Sequence, residues 1–445
     1  MSKIGSRLVS RASLIAVAAV ALLAVMVGLP VYMSAATPLH ADPQRVPSVA
    51  SAAPAPRFSD VVERARQLVR TRLAEQNLPG VSVAVGVGRD IVWAEGFGWA
   101  DVKAGAPLGP ETRLRLGTAS TLLTSAAVGV LLEQGRLNLD EELQSHVPQF
   151  AKTSWPVTLQ QVMAHTAGVG TDSGNDGPLF RRRCERPVEA LTHVADTPLL
   201  FEPGTQYRHS KYGWILVSAA VEAAADQPFL TFMREQVFQP LGMSHTYAES
   251  TKEENPEHVG EPSEDAPPIV LVQDLILRPL GITPPRPGPA PGEVPSQATF
   301  YSPRSGGDPR QGVRGMHPHN LSCYAGSMAF LSTPSDLVQF GLAMNTGTLL
   351  QPATVQRLQA SQSLTSGQQT GHGLDWDLQT VTLAGAPAQA VGHDGELRGG
   401  KVASVMLFRD RGIVVVVMSN VSSADTSSLA LTIADLFAQR VAGRP

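Results

Sequence analysis

The chain has 445 residues, 43% of them hydrophobic, which is enough to bury the core of one large globular unit. Its 35 Lys and Arg residues nearly balance 39 Asp and Glu residues, and the net charge of −4 gives no electrostatic case for nucleic-acid binding. Cys184 and Cys323 are too few for a disulfide framework. They could pair in an oxidising compartment, but two unpaired buried thiols are the simpler interpretation.

The N-terminal segment resembles an export signal or an anchor. Lys3, Arg7 and Arg11 precede an apolar run from Ala12 to Met33, which is long enough to span a bilayer as a helix. Basic residues before the run predict that the bulk of the chain is non-cytoplasmic, either membrane-anchored, periplasmic or secreted. Small residues at 34–36 leave signal cleavage open. A mitochondrial segment, leading to the intermembrane space, is the alternative.

The first ordered elements are predicted after a flexible tether. Residues 1–57 are interpreted as signal or anchor plus a tether rich in Ala, Pro and Ser, and the folded domain as 58–445. Helical periodicity begins near Ser59 and ends at Leu78-Pro79-Gly80. The β-branched run from Val81 to Val87 and the run from Ile91 to Ala94 flank a turn signal and predict a β-hairpin.

The remaining pattern places helices in the middle of the chain and strands near its end. Helices are predicted over Ala119–Gln134, Leu159–Met163, Trp214–Ala225, Phe229–Val237 and Ala424–Val441, and strands over Val402–Phe408 and Ile413–Met418. This order predicts an α/β fold whose sheet lobe (about 58–115 and 320–445) is closed by both chain ends. A mostly helical lobe (about 116–250) is inserted between these two parts.

Residues 251–318 depart from this pattern. The stretch is rich in Pro and Gly, and acidic residues cluster near its start. It predicts an insertion loop with little regular structure. A lid over the site, or an arm that docks a protein partner, is the functional alternative. His317 and His319 lie in this stretch, but they have no third partner and are predicted to be solvated rather than metal-binding.

Eight short blocks in order resemble the β-lactamase-related serine hydrolases. This superfamily includes class C β-lactamases, penicillin-binding proteins, esterases and mitochondrial β-lactamase-like proteins, and the last look closest. The blocks are residues 92–101, 135–140, 164–168, 202–205, 240–243, 331–337, 371–376 and 393–395. The resemblance implies a three-layer sandwich in which helices flank a central antiparallel sheet, beside an inserted helical lobe.

Within this resemblance, two of the three catalytic segments have changed. Residues 118–121 (Thr-Ala-Ser-Thr) stand where the family carries Ser-x-x-Lys, so Thr118 replaces the nucleophile and Thr121 the lysine. In the family, that spacing puts lysine and nucleophile on one helix face, where the lysine can take the proton. The hydroxyl of Thr121 cannot act as a base near neutral pH, and a missing base forfeits about 10²–10⁴ in rate.

The other two segments line the same cleft in the family. His209, Ser210 and Lys211 stand in place of Tyr-x-Asn, with Ser210 in a substrate-binding position. His393 opens a His-x-Gly version of Lys-Thr-Gly, in which Gly395 leaves room for substrate. Backbone N–H groups near Thr118 and Glu396 could form an oxyanion hole. His165, in the His-Thr-Ala-Gly block, is interpreted as structural.

Three hypotheses follow from these residues. The first is a degenerate homologue that acts as a binding or regulatory protein for a small-molecule or peptide ligand. The second is an active hydrolase of amide, ester or β-lactam substrates, with Thr118 as nucleophile and Lys211 as base. The third is an interaction protein held at the membrane by its N-terminal segment and docking partners through residues 251–318. No cofactor and no metal are predicted.

Overall fold

The computed structural model describes residues 19–28, 38–150, 155–171, 178–193, 198–248, 293–304, 307–316 and 320–443. Residues 19–28 are helical and exposed. Among the described residues, no helix combines the length and the apolarity needed to cross a membrane. Of the predicted spanning run from Ala12 to Met33, the part outside 19–28 is not among the described residues, and neither is the predicted cleavage site at 34–36.

A central antiparallel sheet forms the body of the molecule, in the strand order β1-β3-β2-β13-β12-β11-β10, with β4 paired to β3. Its strands are β1 (Ser48–Ala50), β2 (Gly80–Val87), β3 (Asp90–Asp101), β4 (Ala106–Pro107), β10 (Asp377–Leu383), β11 (Ala386–Leu397), β12 (Gly400–Phe408) and β13 (Ile413–Ser419). The predicted hairpin is confirmed as β2–β3, and Gly88 takes the positive φ that its turn requires. The first and last parts of the chain meet where β2 pairs with β13.

Nine α-helices have defined bounds in the described chain. They are α1 (Ser59–Glu75), α2 (Ser120–Glu133), α3 (Leu159–Met163), α4 (Lys211–Ala225), α5 (Phe229–Met233), α6 (Ala325–Met328), α7 (Pro334–Thr346), α8 (Pro352–Gln359) and α9 (Thr426–Ala442). The predicted helix over Phe229–Val237 is α only in its first half, since Arg234–Phe238 is a π-helical turn. Two smaller pairings are β5 (Leu114–Arg115) and β6 (Tyr247–Ala248) on β9 (Phe330–Ser332), and β7 (Tyr301–Pro303) on β8 (Val313–Gly315).

The two faces of the sheet are covered by different helices. Successive side chains of a strand point to opposite faces, so Val83 and Val415 join the cluster that contains Phe437 of α9. Ala84 and Val414, one position along, join the cluster that contains Val338 of α7. Both faces are apolar because both are covered, which explains why β2 and β13 are buried along their whole length. The predicted three-layer α/β fold is confirmed.

The helical lobe is closed by a disulfide bond. Cys184 and Cys323 are bonded, with their Cα atoms 4.8 Å apart. The interpretation that both thiols are unpaired is therefore wrong. Sequence could not reveal the pairing because 139 positions separate the two residues, and only the fold brings them together.

The predicted tether is partly ordered against the sheet. β1 extends the sheet by pairing with β3, where Ser48 lies opposite Phe97. Upstream, the Leu39 N–H donates to Asn77 Oδ1, and His40 Nε2 lies 3.1 Å from the Leu78 carbonyl oxygen. The ordered domain therefore begins at least 20 residues before Ser59. Of the predicted insertion, residues 293–304 and 307–316 carry β7 and β8. Residues 249–292, 305–306 and 317–319 lie outside the described residues, so the prediction that His317 and His319 are solvated is not tested.

Candidate functional site

The nucleophile position lies at a tight junction between the helical lobe and the sheet. Gly117–Ala119 form a 3₁₀ turn that leads directly into α2. Gly117 has a φ of +59°, and a Cβ at this position would come within 2.5 Å of the Glu396 carbonyl oxygen. On the opposite side, a Cβ on Gly395 would collide with the Leu116 carbonyl oxygen. Only glycines allow β11 to approach the start of α2 this closely, so Gly395 permits contact between the two backbones.

The hydroxyl of Thr118 is hydrogen-bonded to the backbone of β11 on both sides. It accepts from the Glu396 N–H at 2.9 Å and donates to the Asp394 carbonyl oxygen at 3.3 Å. The residue is only 5% exposed. Thr121, one turn on, donates its hydroxyl to the Thr118 carbonyl oxygen at 2.7 Å. The N–H predicted to serve an oxyanion hole is thus bonded to Thr118, and the hydroxyl that replaces the family lysine bonds to the backbone.

The second segment forms the start of α4. The hydroxyl of Ser210 caps this helix, accepting from the Gly213 N–H at 3.0 Å and donating to the Gly170 carbonyl oxygen at 2.7 Å. That hydroxyl, predicted to bind substrate, is therefore used by the fold. Lys211 is the first residue of the helix, and its Nζ lies 6.0 Å from the centroid of the Phe180 ring.

A buried carboxylate lies among several histidines. Asp375 Oδ1 accepts from His165 Nε2 at 2.5 Å, and its Oδ2 lies 3.5 Å from His393 Nε2. The side chains of Asp375 and His165 are each 2% exposed. Both residues have positive φ, +65° and +59°, a conformation that is uncommon for non-glycine residues and less so for Asp and His. His165 is therefore one of the partners of a buried charge and not only a support beneath a loop.

Charge interactions in the cluster determine which groups are ionised. Burial raises the pKa of Asp375, but His393 and His165 outweigh it and hold the carboxyl below its usual range. Burial lowers the pKa of His393, but Asp375 and Asp377 raise it above its ordinary value. His209 is exposed as a residue, yet its ring lies 4.5 Å from that of His165. Burial of the ring and then the His165 imidazole lower its pKa to about 4.

A second pair flanks this centre. His372 Nδ1 lies 2.6 Å from Asp377 Oδ1, and the His372 ring stacks on Tyr207 at a centroid distance of 4.6 Å. Tyr207 also meets His165 edge-on at 5.9 Å. Burial, and then Asp375, raise the pKa of the Tyr207 phenol, so it stays protonated. This cluster of side chains therefore contains imidazoles, carboxylates and a neutral phenol.

The fold brings together several of the residues singled out from sequence. Thr118 and Glu396 are in contact, and His393 and His209 both lie near Asp375. Lys211 Nζ lies 6.0 Å from the Phe180 ring centroid, and its charge acts on His209. Sequence reasoning missed Asp375 as a functional residue, since it stands in a loop 210 positions from His165. The available signal was a charged residue inside an otherwise apolar block, residues 373–376 (Gly-Leu-Asp-Trp).

A family model described as Beta-lactamase matches residues 65–439 of this chain. The serine beta-lactamase-like protein LACTB, mitochondrial, of Homo sapiens is 26% identical over 263 aligned residues, with 44% of this chain and 48% of the relative covered. Protein flp of Staphylococcus aureus (strain N315) is 20% identical over 224 residues, covering 49% of this chain and 45% of flp. The chain thus spans about half the length of the curated relatives it matches.

Solved structures show the same fold. The octameric penicillin-binding protein homologue from Pyrococcus abyssi has a TM-score of 0.63 at 20% identity, with 84% of this chain and 77% of that chain covered. FmtA from Staphylococcus aureus has a TM-score of 0.63 at 16% identity, with 88% of this chain and 92% of that chain covered. At such identities the likeness concerns the fold alone, and activity has to be argued from the site.

Proposed function

Because this chain belongs to the β-lactamase family, we propose that it keeps the family cleft without acyl-enzyme chemistry and acts as a binding or regulatory protein. The proposal depends on the residues that stand at the catalytic positions. Thr118 keeps a hydroxyl, but the lysine that would take its proton is replaced by Thr121. Function depends on the site, so a retained fold is compatible with lost chemistry.

The hydrogen bonds of Thr118 carry this proposal. A nucleophilic hydroxyl has to donate its proton to a base, but that of Thr118 donates to the Asp394 carbonyl oxygen, which cannot accept a proton at neutral pH. The Glu396 N–H, a donor suited to stabilise an oxyanion, bonds to the same hydroxyl. Attack by Thr118 would therefore require breaking both bonds and supplying a base from elsewhere.

The alternative function is a hydrolase in which Lys211 serves as that base. In the structure the Nζ of Lys211 lies 6.0 Å from the centroid of the Phe180 ring, and it is close enough to His209 for its charge to act on that imidazole. The side chain is long and could take another rotamer. The turnover measurements described below therefore test this alternative as well.

The disulfide bears on where the protein acts. A bond between Cys184 and Cys323 persists in oxidising compartments, and such bonds are rare in the cytosol. We therefore place the folded domain outside the cytosol, in a periplasmic, secreted or mitochondrial intermembrane setting. The mitochondrial assignment in the name of the human relative is consistent with the last of these. Export and membrane attachment by the N-terminal segment remain part of the proposal.

Turnover measurements test the proposal. The protein and its Thr118→Val variant are incubated with an activated ester, a D-amino acid amide and a chromogenic β-lactam. The proposal predicts equal rates for both proteins, at the level of the uncatalysed reaction. Hydrolysis that falls by about tenfold or more in both Thr118→Val and Lys211→Ala, as loss of a nucleophile or base requires, would establish the alternative.

A matched control separates chemistry from folding. Thr432 lies exposed on α9 and donates its hydroxyl to the Ser428 carbonyl oxygen within its own helix. Thr432→Val therefore makes the same chemical change far from the cleft. Any rate lost in Thr118→Val but kept in Thr432→Val belongs to the cleft.

A further inference from the structure

One oxygen of the buried Asp375 carboxylate has no hydrogen-bond donor in the described part of the chain. Oδ1 is bonded to His165, but Oδ2 is buried and accepts no hydrogen bond. A buried carboxylate oxygen without a donor is costly, and such a group in a folded protein requires an explanation. The positive φ of Asp375 adds to this cost.

Two further imidazoles, those of His393 and His209, lie near this carboxylate. His393 Nε2 lies 3.5 Å from Oδ2. Two ligands at zinc-like bond lengths in a tetrahedral shell are separated by about 3.3 Å, close to this value. One ligand atom each of His209, His165 and Asp375 lie within 4.8 Å of one another. His209 is exposed as a residue although its ring packs against His165, so a change of its rotamer can bring it toward the carboxylate and an ion can approach from solvent.

His165 is suited to hold the carboxylate rather than to bind a metal. Its Nδ1 accepts from the Ser210 N–H at 3.1 Å, so the proton of the neutral ring is on Nε2. That N–H donates to Asp375 Oδ1. Ligation through Nε2 would require an imidazolate, which is unfavourable. Hydrogen bonds of this kind orient the ligands of metal sites from the second shell.

We propose that Asp375 Oδ2, His393 and His209 bind one divalent transition-metal ion, with His165 positioning the carboxylate. Two nitrogens and one carboxylate oxygen are the donor set of zinc and of related first-row metals. Hard cations such as Mg²⁺ and Ca²⁺ prefer oxygen ligands and are disfavoured. A fourth position, open to the cleft, would accept water or a ligand atom. The inference deepens the proposed binding function, and the proposal that Thr118 is inert stands without it.

Metal titration of the tag-free, full-length protein tests this site directly. After chelator treatment and dialysis, Zn²⁺ binding is measured by calorimetry, and Co²⁺ binding by its visible absorption. We expect one ion per chain and the intense visible bands of low-coordinate Co²⁺. His209→Ala should weaken binding at least about 10–100-fold, since even second-shell changes cost that much. His209 is exposed, so this variant should fold.

A variant of His146 provides the control, and a variant of Asp375 provides a second test. His146 also lies beside a carboxylate, 3.0 Å from Glu141, but away from the cleft, so His146→Ala should bind as the unchanged protein does. Asp375→Asn keeps an acceptor for His165 and should also abolish tight binding. No saturable binding in the unchanged protein, or equal affinity in His209→Ala, would overturn the site. Either result would leave the Thr118 turnover test unaffected, so the two proposals fail separately.

Discussion

The hydroxyl of Thr118 joins the start of α2 to β11. Its two hydrogen-bond partners are the backbone N–H of Glu396 and the backbone carbonyl of Asp394. Because residue 118 is nearly buried, solvent cannot easily replace this hydroxyl. The hydroxyl therefore stabilises the junction between lobe and sheet, a role that needs no base.

Thr118→Val should lower the free energy of unfolding by about 1–3 kcal/mol, because it keeps the shape of the side chain and leaves two backbone groups without a partner. Urea denaturation measures the change. Thr432→Val, at an exposed helix position, should stay within about 0.5 kcal/mol of the parent protein. Equal stability of the two variants would show that the Thr118 hydrogen bonds contribute nothing to stability.

Only part of the cleft could be read from individual residues. Thr118, His209 and His393 could be placed because short motifs surround them, and a motif fixes local geometry. The role of Asp375 depends on its pairing with His165 across 210 positions, and no local pattern encodes such a contact. The direction of Lys211 likewise depends on Phe180, which lies in another segment.

At the scale of elements, residue patterns predicted an amphipathic helix and a fully buried β-branched strand equally well. The β2–β3 hairpin and α9 followed from such patterns, with ends shifted by only a few residues, apart from β3, which runs on to Asp101. The segment before α1 was missed because β1 is only three residues long and its order comes from pairing with β3. Composition alone cannot distinguish a tether from a docked edge strand.

Docking of this segment should depend on pH through His40. The ring is buried beside Trp99, and its Nε2 lies 3.1 Å and 3.3 Å from the carbonyl oxygens of Leu78 and Pro79. Burial lowers the pKa of His40 below its ordinary value near 6.5, although the two carbonyls partly oppose this. The folded state therefore binds fewer protons at this site than the unfolded state, and stability should decline as pH falls below about 6.5.

Hydrogen exchange of the β1 amides at pH 7.5 and pH 5 measures this effect. We expect protection of residues 48–50, corrected for intrinsic exchange rates, to fall at the lower pH. His40→Gln keeps a donor for the same carbonyls and does not titrate, so its protection should change less. An identical loss in both proteins would exclude His40 as the cause.

At the scale of the whole molecule, the Cys184–Cys323 bond restrains the helical lobe. It joins residues 139 positions apart, so it removes much of the conformational freedom of the unfolded chain. Replacing both cysteines with alanine should lower the free energy of unfolding by about 2–4 kcal/mol. Denaturant midpoints of the double variant and of the reduced parent protein should fall together, whereas unchanged midpoints would show that the bond does not stabilise the lobe.

The most direct test of the inert hydroxyl is covalent labelling of the native cleft. The protein is treated with a fluorophosphonate and, separately, with a labelled penicillin, and intact mass and peptide mapping then locate any adduct. Because the Thr118 hydroxyl donates to the Asp394 carbonyl oxygen rather than to a base, Thr118 should carry no label from either reagent. A stoichiometric adduct on Thr118 that disappears in Lys211→Ala would contradict the account and identify a working hydrolase with a relocated lysine.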